Sequence, residues 1–181
     1  MFDTTANIDL LYPLSRFYRE AGKGVPDFAI IAGADMPQPF RDLLVHERDM
    51  TSTLERFHND SIYLRILHTD RDADHYERQV VLQLNRSDKP VEYGAVEIDL
   101  GQFPSEAREL ILGNHRPLGS ILANFAIPYR SKPEAFFRTT ADAFVRDALN
   151  VAEGTTLYGR RNILSTPKGQ AIAHVVEIVG L

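Results

Sequence analysis

Between residues 61 and 100 the chain carries three strand-like segments, "SIYLRIL", "HYERQVVLQLN" and "VEYGAVEIDL". Only the polar link "RSDKP" separates the last two. It is far shorter than the crossover that parallel neighbours need, so these two segments are expected to pair as an antiparallel hairpin. A second hairpin closes the sequence, with "LYGRRNIL" passing through the turn "STPKGQ" into "AIAHVVEIVG". Hairpins with helical segments inserted between them predict an α+β fold. In it, helices pack around an antiparallel β-sheet and leave room for a ligand between them.

The helical segments are read from apolar spacing. Residues 5–21 place Ile8, Leu11, Leu14, Phe17 and Tyr18 near one face, with Pro13 interrupting. "PQPFRDLLVHERDMTSTLERF" predicts two short helices with a break near Asp49 to Thr51, where side chains suited to capping sit. "PSEARELILGNHRPLGSILA" predicts two more, with Pro117 in the first turn of the second. "PEAFFRTTADAFVRDAL" reads as one further amphipathic helix. No repeat, low-complexity stretch or linker divides the 181 residues, and a 44% hydrophobic content suffices for one core, so a single domain over 1–181 is expected.

Much chemistry is set aside at this level. There is no cysteine, hence no disulfide, thiolate nucleophile or cysteine-ligated metal. "HERDM" has Met50 where a HExxH zinc motif needs histidine, "PLGSI" is not a GxSxG elbow, and "GKGVPD" is not a P-loop. No metal and no cofactor is expected. The amino terminus has neither a basic start nor a continuous apolar run, and no stretch approaches the length of a membrane span, so a cytoplasmic chain is expected. A net charge of −5 gives no general pull toward nucleic acid.

Two residues break the strand pattern. In "HYERQVVLQLN", Arg78 shares a face with Tyr76, Val80, Leu82 and Leu84; in "AIAHVVEIVG", Glu177 shares one with Ala173, Val175 and Val179. Because both sides of that last strand are largely apolar, it is expected to lie inside the sheet. A charge on an apolar face needs a partner. Either Arg78 and Glu177 form a buried ion pair, aided by Arg65 or Arg161, or Arg78 grips the carboxylate of a small molecule while Glu177 serves its other end. Periodicity leaves both readings open.

Five separated pieces, "RDMTSTLERF", "YERQVVL", "RPLGSIL", "YGRRNIL" and "AHVVEI", stand in an order that resembles the chorismate pyruvate-lyases, or 4-hydroxybenzoate synthases. They span about residues 45–181, and the first 40 or so residues carry no match. The resemblance implies the chorismate lyase-like fold, an antiparallel sheet enclosing an internal pocket, which also serves as an effector-binding domain in transcription regulators. It implies that Arg78 binds a ring carboxylate, that Glu177 approaches the 4-hydroxyl or handles a proton, and that main-chain groups at Met50 and Leu118 touch the ligand. The implied reaction is elimination of pyruvate from chorismate, by positioning and charge stabilisation.

One departure weakens the substrate assignment. Ala95 follows Gly94 where family members often carry a second arginine, and Arg160, Arg161 or Arg116 would have to replace it. The alternative is a non-catalytic protein that binds a small aromatic or cyclohexadienyl carboxylate on the same fold. The 181 residues show no DNA-binding module, which reads against a transcription regulator. Elsewhere, His174 is expected to be a core histidine with a hydrogen bond, while His115 is left unassigned. Gly119 either permits close backbone approach or merely provides space. Hairpin edges could pair between subunits, but no stretch demands it.

Overall fold

A computed structural model describes residues 9–181. Seven strands form one antiparallel sheet: β1 (Phe28–Ile31), β2 (Ile62–Asp72), β3 (His75–Leu84), β4 (Pro90–Asp99), β5 (Arg130–Thr140), β6 (Thr156–Ser165) and β7 (Ala171–Val179). Their order is β1-β5-β6-β7-β4-β3-β2, every neighbour antiparallel. The expected inner strand is therefore found at β7, whose pairing with β4 joins the two hairpin systems.

Among the described residues six α-helices cover the sheet: α1 (Leu14–Glu20), α2 (Phe40–Leu44), α3 (Met50–His58), α4 (Ser105–Leu112), α5 (Leu118–Asn124) and α6 (Ala143–Leu149). α1 and α6 pack on one face, where Leu14, Phe17, Tyr18, Val145 and Leu149 meet Val81, Tyr93, Val176 and Ile178. The other face carries two helix pairs. α2 and α3 pack over Leu82, Leu84 and Val179, and α4 and α5 over Tyr76, Val96 and Ile98. This is the α+β chorismate lyase-like fold.

Some expectations need correction. The segment "PEAFFRTTADAFVRDAL" is not one helix: its first half belongs to β5, and only Ala143–Leu149 is helical. Pairing of β5 with both β1 and β6 overrides the helical spacing. β1 itself carries no legible pattern. The amino-terminal helix begins only after Pro13, and Ile8, with the rest of residues 5–8, lies outside the described residues. Pro117 is the N-cap of α5, one step ahead of its expected place. Among the described residues, no helix is long and apolar enough to cross a membrane.

Candidate functional site

Between the two helix pairs and the sheet lies a cavity with about 650 Å³ of empty space, part of it open to solvent. Its apolar wall includes Leu64, Val80, Leu82, Val96, Leu122 and Val175. All four residues singled out by sequence, Arg78, Glu177, Met50 and Leu118, line it together.

Strand register explains the gathering. Arg78 on β3 faces Val96 on β4, Gly94 lies opposite both Val80 and Glu177, and Glu177 lies opposite Arg160 on β6. These cross-strand pairs share the pocket face. Asp49 caps α3, its carboxylate accepting from Ser52 N at 2.7 Å. The same carboxylate lies so close to Gly119 that any side chain there would collide with it. Of the two readings of Gly119, close approach is the one observed: the lack of a side chain lets the first turn of α5 meet that of α3 at the cavity.

The expected alternative of an Arg78–Glu177 ion pair is not what forms. Glu177 accepts from Arg160 Nε at 2.6 Å, with both side chains buried. Arg160 also donates through Nη1 to the carbonyls of Leu44 at 3.1 Å and His46 at 3.0 Å. Burial, together with the Arg160 charge, pushes the His46 imidazole down to about 4, so that ring is neutral at pH 7.

Arg78 is 2% exposed, and its one hydrogen bond runs from Nη2 to Arg116 O at 3.3 Å. Among the described residues no acceptor meets its Nε or Nη1. Burial pulls its pKa down to about 10, which still leaves it charged at neutral pH.

Sequence reading missed Glu92. On β4 it shares a face with Gly94, Val96 and Ile98, the same anomaly that exposed Arg78, and it lines the cavity at 4% exposure. Its Oε2 has no hydrogen-bond partner among the described residues. Burial, with the neighbouring Glu177 and Asp49 charges, holds its carboxyl well above the usual range, against the opposing pull of Arg160. It is therefore protonated over a wider span of pH than an exposed glutamate.

Other candidates are placed differently. Ala95 borders the cavity, yet it belongs to the cluster of Val81 and Tyr93 under α1 and α6, so its side chain lies on the opposite face of the sheet. Arg160 is a cavity residue. Arg161, one step along β6, faces the opposite layer and binds Glu134 at 2.7 Å and the carbonyls of Asp9 and Tyr12 at 3.1 and 2.7 Å. Arg65 pairs with Gln83 at 3.0 Å. The side chains of Arg116 and His115 are exposed. His174 lies on the far face of β7, and among the described residues nothing makes the expected hydrogen bond with its buried Nδ1.

No family model and no curated protein matches this chain. Solved structures do. PhnF from Mycobacterium smegmatis is 10% identical with a TM-score of 0.58, over 75% of this chain and 64% of PhnF. Its effector domain alone gives 10% identity and a TM-score of 0.54, over 72% of this chain and 87% of the domain. The ligand-binding domain of a Bordetella bronchiseptica protein described as a GntR-family transcriptional regulator gives 16% identity and a TM-score of 0.51, over 66% and 85%. This chain thus spans less than two thirds of PhnF's length.

At these identities the likeness establishes the fold. It also overturns the expectation of a chorismate pyruvate-lyase, and with it that of an enzyme, because the neighbours include the effector and ligand-binding domains of regulators. The proton-handling role given to Glu177 goes with the lyase.

Proposed function

We propose that this chain is a ligand-binding module that holds a small carboxylic acid with a compact apolar body, such as an aromatic acid, without transforming it. The observation that carries this reading is Arg78, a buried guanidinium lining an apolar cavity, two of whose three nitrogens have no partner among the described residues. A buried cation is costly without an anion, and a carboxylate accepting two parallel hydrogen bonds is the partner whose geometry fits a guanidinium. Backbone groups at Met50 and Leu118, where α3 and α5 begin, border the same space and would orient the ligand. Glu177, held by Arg160, would face its other end.

The neighbours with effector and ligand-binding domains support a role in sensing, in which occupancy of the cavity is the signal. The test is calorimetric titration with 4-hydroxybenzoate, beside the Arg78→Gln variant, and incubation with chorismate while pyruvate is followed. Saturable binding that needs Arg78, with no pyruvate formed, is the expected result. Binding that is indifferent to Arg78 would remove the carboxylate clamp.

A further inference from the structure

The cavity holds a second unsatisfied group besides Arg78. Glu92 lines the same space, is 4% exposed and has no partner for Oε2 among the described residues. In the β3–β4 register Leu82 lies opposite Glu92 and Val96 opposite Arg78. The two side chains therefore stem from points four residues apart along the sheet, about 13 Å at a strand's rise per residue. One end of the cavity offers a free cation and the other a free carboxyl, with Val80, Leu82 and Val96 on the strands between and beside them.

The charges around Glu92 are unequal. Glu177 and Asp49 join it, while the nearest cation, Arg160, is bound to Glu177 and to the Leu44 and His46 carbonyls. Arg48 also lines the cavity, but its side chain is exposed to solvent. Among the described residues, no group of three His, Cys, Asp or Glu side chains could hold a metal ion.

We infer that the cavity is built for a zwitterion: a molecule whose carboxylate meets Arg78 and whose ammonium, carried at the opposite end of an apolar body, meets Glu92. An ω-amino acid, or a ring bearing the two groups at opposite positions, has the required span. The inference rests on the carboxylate reading above and specifies the ligand's other end. When an ammonium group arrives, protonated Glu92 would release its proton to solvent, because the new ion pair favours the carboxylate.

The test compares 4-(aminomethyl)benzoate, 4-(hydroxymethyl)benzoate and 4-methylbenzoate by calorimetry on the whole chain, in two buffers of different ionisation enthalpy. The aminomethyl compound is expected to bind at least tenfold more tightly than the other two and to release protons on binding. Glu92→Gln is expected to erase that preference while keeping the hydroxymethyl compound bound. Equal affinities in the wild-type chain, all dependent on Arg78, would overturn the zwitterion and leave the carboxylate clamp standing. Failure of all three to bind would overturn both. The ligand comparison and the proton count are read on the wild-type chain, so they stand even if the Gln variant folds poorly.

Discussion

Arg78 is kept charged in a place where charge is expensive. Burial draws its pKa down to about 10, and one carbonyl is its only hydrogen-bond partner among the described residues. Replacing it with methionine keeps an unbranched apolar stem and removes the charge, so Arg78→Met is expected to raise stability by on the order of 1–4 kcal/mol, the gain seen when buried ion pairs give way to apolar residues. Urea unfolding would measure that gain, and the same variant should lose carboxylate binding. Glu92 makes the matching case for an acid. Its folded pKa lies above the unfolded value near 4.5, so the folded chain holds a proton that the unfolded chain gives up. Stability from this group is complete below pH 4.5 and declines as pH rises from there toward the folded pKa. Glu92→Gln should abolish the decline. Thermal unfolding from pH 5 to 8 should find the variant gaining on the wild type as pH rises; parallel curves would mean that Glu92 is not protonated in the fold.

At the scale of elements, β6 serves two layers with adjacent residues. Arg160 fixes Glu177 and the end of α2 on the cavity side, while Arg161 fixes Glu134 and the carbonyls of Asp9 and Tyr12 on the other. Arg161→Ala is expected to expose the amino-terminal segment to proteolysis with ligand affinity within about threefold of wild type, whereas Arg160→Ala should reduce affinity and leave that segment protected. Where α3 meets α5, Gly119→Val would drive the Asp49 carboxylate from its cap, costing about 1–3 kcal/mol in denaturant unfolding. The alternation that displayed Arg78 and Glu177 also made β7 legible as an inner strand, and short polar links made the hairpins legible, whereas Met50 and Leu118 came only from the resemblance to the chorismate pyruvate-lyases. Glu92 obeys the same rule, yet passed unnoticed because its strand carries a second glutamate, Glu97, on the other face. Register lay beyond reach: only pairing shows that Glu177 sits opposite Arg160 and that position 95 points away. β5 was illegible for another reason. Its phenylalanines and threonines suit a strand, but their continuation into α6 reads as one helical stripe until β1 and β6 are present to pair with it.

For the molecule as a whole, the sheet separates a continuous core from an interrupted one. Behind it, α1 and α6 pack directly on Val81, Tyr93 and Ile178. In front, the α2–α3 and α4–α5 pairs bury separate clusters, and the cavity occupies the space between them. A ligand there contacts both clusters and completes the front layer, so its binding energy adds to folding stability by mass action. At a concentration one hundred times its Kd the gain is about 2.7 kcal/mol. For a chain of this size that corresponds to a Tm rise of roughly 5–11 °C. Protection should be uneven as well. In hydrogen exchange, amides of α3, α5 and the Arg78 region of β3 are expected to slow beyond the global gain, while α1 and α6 follow the global change alone. The Arg78→Met chain, stabler when empty, should show neither response. A ligand that raised Tm with uniform protection across both faces would place its site outside the cavity, and the sheet would then be dividing two ordinary cores.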